Sequence, residues 1–435
     1  MRIKDILEID FLLLFSAIIL SIFGILFIYS SGMSTTAAES QEYIKQIIWA
    51  SVGLVIAIVF ALMNYRRIYY FALYCYIGTI VVLLYTCIAG REINGARAWI
   101  GIGSFGIQPS EFAKITTILF LAQYLDYSKR SANSLSRFLI SACIVFLPML
   151  IILIQPDFGT SLVFIPILLV MSFIAGIMIR YILFFGLVIA TGGLLIVLPY
   201  WQQHVLKKTV TLFAMLGDFR YIALILAALT LIFILALIGL LRYKKRYFYW
   251  INYFVLVLVL SLGVSFAAQK VLKEYQINRL VVFLDPNVDP RGAGWNIIQS
   301  MTAIGSGGGG GKGFLQGTQS HYRFLPQQST DFIFSIFSEE WGFLGGILTF
   351  ALFLTICMRL TKIMKITQDP FGAYIAGGLS AMYAFHFLIN VGMTMGIMPI
   401  TGIPLLFMSY GGSALISAMA GIGLALSVYI RRFQY

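Results

Sequence analysis

The chain has 435 residues, of which 60% are hydrophobic and only 11% charged. That balance excludes an ordinary soluble domain and points to a polytopic membrane protein, with room for about a dozen spans of ~20 residues. The net charge of +13 gives no reason to expect nucleic acid as a partner. The basic residues sit in short clusters between apolar runs, as the positive-inside rule expects.

In chain order, the first apolar run is Phe11 to Tyr29. It is too long for the hydrophobic region of a signal peptide and has no small-residue cleavage site, so it reads as a first transmembrane helix. Twelve spans follow from the hydropathy, at roughly 10–31, 45–63, 68–89, 112–126, 138–154, 159–177, 181–200, 219–241, 248–268, 332–357, 371–395 and 403–430. The basic clusters Arg66-Arg67, Lys129-Arg130, Arg242 to Arg246, Arg359 to Lys365 and Arg431-Arg432 fall on one side together with both termini. That side is assigned to the cytoplasm. The loops at 32–44, 90–111, 155–158, 201–218, 269–331 and 396–402 then face outward. Among them, 269–331 is long enough to be functional rather than a mere connection. Its many Pro and aromatic residues argue for order. The outer loops carry Arg91, Arg97, Lys207, Lys208, Lys270, Lys273, Arg279, Arg291, Lys312 and Arg323. These basic residues fit either an anionic ligand at that face or the tolerance of long loops for positive charge. Cys75, Cys87, Cys143 and Cys357 are scattered through apolar segments with no zinc-type spacing.

Several short segments carry polar chemistry. Lys114 follows Glu111 by three residues in IQPSEFAK, so the two share a helical face. The plain reading is a helix-end ion pair with Ser110 as cap. Asp157 in QPDFGTS reads equally as a turn residue capping the next helix. The loop GSGGGGGKG, Gly305 to Gly313, is not a P-loop. Ser306 and Gly313 stand where that motif needs Gly and Ser or Thr. It reads as a hinge or a close backbone approach, with Lys312 as a candidate anion contact. Asp331 lies where a polar loop becomes an apolar helix, and Glu339 and Glu340 follow two turns later. Carboxylates at a membrane boundary are costly, which makes at least one of the three a candidate for chemistry or transport. A helix-dipole role for Asp331 is the local alternative. SYGGSA, Ser409 to Ala414, reads as a close-packing element inside the last span. His204, His321 and His386 form no pattern that argues for a metal or a catalytic triad.

Taken together, NGARAWI, IQPSEFAK, QPDFGTS, FLDPNVDPRGAGWNIIQS, AIGSGG with GKG, GTQS, FLPQQSTDFIF, SEEWG and GIMPITGIPLLFMSYGGSA occur in one order from Asn94 onward. This set resembles the SEDS family (shape, elongation, division and sporulation) of peptidoglycan glycosyltransferases. GTQS, NIIQS and TGIP resemble the family's rod-elongation branch. The division-type branch is the alternative within the family. Two departures are visible. Trp295 stands where Tyr is common, and Ser329 stands where His is common before Thr-Asp, which puts any role of that His in doubt here.

The resemblance implies an all-α polytopic helix bundle spanning 1–435 as one integral-membrane domain. A family core of ten spans would carry an insertion around 205–268 that adds two helices, and the long external loop at 269–331. It also implies an enzyme of the bacterial inner membrane that polymerises lipid II into glycan strands during cell elongation, releasing undecaprenyl diphosphate at an external active site. Asp331 matches the family's essential Asp and is the candidate general base, or a ligand of a divalent cation, Mg or Mn. No organic cofactor is expected. Arg97, Lys114, Arg279, Asp289, Gln299 and Lys312 are candidates for holding substrate. Glu111, Asp157 and Glu339 are candidates for a supporting polar network. The implied partners are a class B penicillin-binding protein and other proteins of the elongation complex. Readings as a lipid II flippase or transporter, or as a scaffold of a cell-wall complex, remain open on these residues.

Overall fold

The computed structural model describes residues 9–33, 41–93, 95–102, 105–129, 134–202, 219–271, 279, 282–290, 292–322 and 324–434. Arg130, Lys207, Lys208, Lys273, Arg291 and Arg323 lie outside the described residues, as does the segment 205–218 of the expected insertion.

The chain divides into two compact units, 178–298 and the remainder. In the larger unit, α1 (Phe11–Gly32), α2 (Glu42–Leu62) and α3 (Tyr65–Ala89) lead into a small antiparallel sheet of β1 (Arg91–Ile93), β2 (Ala96–Ile102) and β3 (Phe105–Ile107). Then come α4 (Pro109–Tyr127), α5 (Leu135–Ile154) and the short pair α6 (Phe158–Leu162) and α7 (Phe164–Ile174). The smaller unit holds α8 (Ile179–Trp201), α9 (Phe219–Tyr243) and α10 (Arg246–Val271). α11 (Ala293–Ser306) leads back into the larger unit. There α12 (Thr318–His321), α13 (Ile333–Ile366), α14 (Pro370–Thr394) and α15 (Gly412–Ile430) complete the chain.

Among the described residues, ten helices are long and apolar enough to cross a membrane. They account for ten of the twelve expected spans. The fourth expected span is α4, whose 19 residues include Glu111, Lys114 and Asp126. The sixth is the shorter apolar stretch Phe158–Ile174, formed by α6 and α7. The chain is therefore a multi-pass, helical membrane protein. Burial orders the helices of the larger unit: 83% of α15's apolar window is buried, against 22% for α2 and for α3. α15 is a core element, and α2 and α3 turn most of their surface outward.

The structure departs from the sequence reading in three places. The loop at 90–111 forms the three-stranded sheet, with Arg97 opposite Glu92. α4 starts one residue before Ser110. Pro109 takes the first helical position, where its missing N–H costs nothing, and Gln108 is the N-cap. Ser110 is buried with its hydroxyl unpaired, so it does not cap the helix. The last helix starts at Gly412, so SYGGSA straddles its start: Ser409 to Gly411 precede the helix and Gly412 to Ala414 open its first turn. The preceding segment is irregular and largely buried. It turns at Gly402 (φ +72°) and Phe407 (φ +70°).

Candidate functional site

The irregular segment between α14 and α15 organises the polar interior. Non-helical backbone at membrane depth is tolerated only where protein satisfies its polar groups. Here α14 supplies them from two side chains one turn apart. Asn390 Nδ2 donates to Ile403 O at 2.8 Å. His386 Nδ1 pairs with Pro404 O at 3.0 Å. A carbonyl accepts only, so Nδ1 carries the proton and Nε2 is left as acceptor. Lys114 Nζ lies 3.0 Å from that Nε2 and 2.7 Å from Glu111 Oε2. Its ammonium donates to both. Glu111, Lys114 and His386 are all buried. Lys114 thus acts through His386 on the loop at Pro404. From the other end of the chain, Gln46 Nε2 donates to Ser409 O at 3.1 Å.

Asp331 connects to this segment through its backbone. Asn390 Nδ2, besides holding Ile403, donates to Asp331 O at 3.0 Å. The N-cap of α13 is Phe332, without a side-chain cap, so Asp331 stands one residue before the N-cap. The approach to Asp331 is pinned on two more sides. Tyr410 N donates to Ser329 O at 2.7 Å. Ser329 Oγ donates to Glu42 Oε2 at 2.7 Å. Asp331 itself is half-buried.

Asp157 joins the same interior. Its Oδ1 accepts Thr160 N at 3.2 Å, so it does cap α6. Its Oδ2 accepts Gln108 Nε2 at 2.8 Å. Gln108 N in turn donates to Ser413 Oγ at 2.9 Å, which ties the loop after α5, the start of α4 and the start of α15 together. Burial raises the Asp157 carboxyl above its ordinary range, against the opposing pull of the Thr160 bond.

Glu339 and Lys312 form a second centre. Glu339 is fully buried, and its Oε1 accepts Lys312 Nζ at 2.7 Å, Thr318 N at 2.8 Å, Thr318 Oγ1 at 3.0 Å and Gln319 N at 3.0 Å. Glu340 accepts Leu315 N at 2.9 Å and the Ser30 hydroxyl. The glycine-rich loop is the close backbone approach anticipated from sequence. α13 breaks at Gly342, φ +64° and ψ −157°. Beyond the break, Phe343 N and Leu344 N donate to Gly308 O (2.9 Å) and Gly309 O (3.2 Å). A Cβ on Gly311 would lie 2.0 Å from Glu340 O, and one on Gly342 2.3 Å from Gly311 N. Only glycine fits these contacts. Beside the break lies a largely apolar cavity of about 410 Å³, lined among others by Ile304, Phe334, Gly342, Phe343, Ile347 and Phe350.

Of the remaining candidates, Arg97 is exposed on β2 beside Glu92, 3.5 Å away. Gln299 lies on α11. Arg279 and Asp289 belong to the smaller unit, where Asp289 Oδ1 accepts Gly292 N at 2.9 Å and shapes the turn before α11. Sequence reasoning set His386 aside for want of a partner pattern and passed over Asn390, Gln108 and Glu42. A signal was present for the first two: a His and an Asn four residues apart on one face of an apolar helix.

A helical membrane protein whose interior carboxylates and cations converge on a buried loop and an Asp at a helix mouth defines the class. The sequence model of the FtsW/RodA/SpoVE family, described as cell cycle protein, matches residues 10–220 and 224–433, and the chain belongs to that family. It is 48% identical over 434 residues to peptidoglycan glycosyltransferase RodA of Treponema pallidum, covering 99% of this chain and 100% of that one. It is 33% identical over 382 residues to peptidoglycan glycosyltransferase MrdB of Escherichia coli, covering 88% and 84% respectively. Among solved structures, a chain from a study of how a peptidoglycan synthase complex coordinates polymerization and crosslinking matches with TM-score 0.67 and 25% identity, over 98% of this chain and 99% of that one. The rod shape determining protein RodA of Thermus thermophilus shares the fold, with TM-score 0.60 and 22% identity over 98% of both chains.

Proposed function

We propose that this chain, a peptidoglycan glycosyltransferase of the FtsW/RodA/SpoVE family, polymerises lipid II during cell elongation with Asp331 as general base. The carrying observation is the position of Asp331, one residue before the N-cap of α13 and gripped at its carbonyl by Asn390. In this reading Asp331 takes the proton from the 4-hydroxyl of an acceptor GlcNAc. The hydroxyl oxygen forms its bond to the anomeric carbon of the donor MurNAc. The bond from that carbon to the diphosphate oxygen breaks, and undecaprenyl diphosphate leaves with the electron pair. A single displacement inverts the anomeric centre. A base positioned within hydrogen-bond reach contributes ~10²–10⁴-fold to such a step.

The leaving diphosphate needs positive charge. Arg97, exposed on β2, and Lys312, half-buried and paired with Glu339, are the candidates, and Arg279, Asp289 and Gln299 are assigned to orienting substrate. Lys114 is buried and committed to Glu111 and His386. We assign it, with Glu111, to positioning: it holds His386, which holds the loop that Asn390 joins to Asp331. Asp157 holds Gln108 and the start of α15 in the same way. Among the described residues no three His, Cys, Asp or Glu side chains gather into a metal cage. A Mg or Mn ion would therefore be held by Asp331 with water and diphosphate oxygens, a habit of Mg²⁺, and would supply charge for the leaving group. The apolar cavity beside Gly342 suits part of the polyprenyl chain of lipid II.

The proposed location is the bacterial cytoplasmic membrane, with both termini inside and the site outside, on the strength of the basic clusters. The proposed partners are a class B penicillin-binding transpeptidase and other elongation proteins. The neighbouring synthase-complex structure supports the first of these. The test is purified full-length protein incubated with lipid II and a divalent cation, with and without the transpeptidase, and products separated by length. Glycan chains are expected. Lipid II movement coupled to protons or ions, with no chains formed, would favour a transporter instead.

A further inference from the structure

The hairpin of α9 and α10 carries a cluster of charge that the glycosyl-transfer reading does not use. Its turn reads Arg242-Tyr-Lys-Lys-Arg246, and all five residues are exposed. Tyr253 Oη donates to Arg180 O at 3.3 Å, which brings the start of α8 to the same end. Five cations therefore gather there: Arg180, Arg242, Lys244, Lys245 and Arg246. Between Met178 and Val271 the sequence holds one acidic residue, Asp218, which precedes α9 in sequence and lies outside the described residues. No salt bridge joins any of the five cations to an acid among the described residues. Two arginines of other basic clusters do pair. Arg66 meets Asp369 at 2.6 Å, and Arg359 meets Asp10 at 2.6 Å.

Three further observations give the cluster a character beyond topology. Lys244 occupies a left-handed conformation, φ +51°, at a helix end where glycine is the low-cost residue. The turn thus accepts local strain while keeping a cation. Around it stand Tyr243, Tyr247, Tyr249 and Trp250, all exposed, the residue types that settle at membrane headgroup level. Just below, Asn252 is buried, with its amide oxygen and nitrogen both lacking a protein partner. A buried amide in that state is a cost that the fold carries at this end of the hairpin.

We propose that this end of the α8–α10 unit is a binding site for anionic phospholipid headgroups of the leaflet it faces. The phosphate is held by Arg242, Lys244, Lys245 and Arg246. The surrounding Tyr and Trp side chains seat the glycerol region. Clusters of four or more basic residues beside a membrane helix gain about fivefold in anionic-surface affinity per residue. The inference does not depend on which side of the membrane is cytoplasmic.

The test uses the full-length protein in vesicles containing a photoactivatable phosphatidylglycerol, with photoactivatable phosphatidylcholine as the parallel probe. The expected result is labelling of the peptide containing Tyr243 to Phe254 by phosphatidylglycerol in preference to phosphatidylcholine. Arg242→Gln/Lys244→Gln/Lys245→Gln/Arg246→Gln should lose about tenfold or more of that labelling. Lys362→Gln/Lys365→Gln, exposed basic positions on α13, should keep it. A second measurement needs no variant, in case the fourfold change disturbs insertion: raising salt from 0.1 to 1 M, which cuts the screening length from ~10 to ~3 Å, should strip the preference from the unaltered protein. Equal labelling by the two lipids, or a preference indifferent both to salt and to the fourfold variant, would overturn the proposal and leave the cluster as a topology signal alone.

Discussion

Asp331 and Glu339 lie eight residues apart in one segment, and the protein places them in different settings, one half-buried and the other sealed inside. Glu339 is sealed inside, with four donors converging on one oxygen. Those donors come from Lys312 and the short α12, so the bonds clamp the glycine loop and the segment after it onto α13. Asp331 is half-buried and sits outside the helix, and Asn390 holds it at its backbone carbonyl. A carboxylate at a membrane boundary is costly in either place. The cost of Glu339 is offset by bonds that build structure. The backbone grip on Asp331 positions a residue that keeps contact with solvent, which is what a proton acceptor for an incoming hydroxyl requires.

The comparison can be broken by substitutions that separate structure from rate. The largest stability effect is expected at the buried pair that supports the Asp331 side. Lys114→Met strands the Glu111 carboxylate and should cost about 3–5 kcal/mol, read as lost thermal stability of the purified protein. Removing the charge on both residues, in Glu111→Gln/Lys114→Met, should recover much of it. If the single change is silent, Lys114 does not hold His386 as argued. Gly342→Ala comes next, at about 3 kcal/mol, because it combines a left-handed φ with a backbone collision at Gly311. Glu339→Gln keeps the volume but weakens charge-assisted bonds, for about 1.5–3 kcal/mol. It should speed proteolysis within 307–319 while leaving most of the polymerisation rate per folded molecule. A rate loss as deep as that of Asp331→Asn, with folding intact, would erase the distinction between the two carboxylates. The smallest effect is Asp157→Asn, about 1 kcal/mol: Asn still caps α6, and what is lost is the carboxylate oxygen that accepts Gln108 Nε2, with little change in rate.

Much of this was legible in the residues. Hydropathy located the spans, because ~20 apolar residues are what a bilayer demands. The polar segments marked Asp331, Glu111, Lys114, Asp157 and Glu339, because charge stands out against apolar sequence. The glycine loop was legible as a close backbone approach, though its partner was not. The break at Gly342 lies inside a run that reads as continuous helix, and only the tertiary contact with Gly308 and Gly309 reveals why it bends. His386 and Asn390 were missed for the same reason. Their partners are backbone carbonyls of Asp331, Ile403 and Pro404, and a carbonyl carries no residue identity that a sequence could display. The sheet at 91–107 escaped because its strands are as short as three residues, too short for alternation to register.

The central claim is that Asp331 serves chemistry and not architecture. The direct measurement is the lipid II polymerisation rate of purified Asp331→Asn, compared with the unaltered protein at equal amounts of folded enzyme and with the same transpeptidase present. Asn keeps the shape and the backbone that Asn390 holds, but loses the charge and the basicity. The account predicts normal membrane accumulation, an unchanged thermal midpoint and a rate lowered by ~10²–10⁴-fold. Near-normal glycan synthesis by a properly folded Asp331→Asn protein would contradict it and return Asp331 to the role of a charge at a helix entrance.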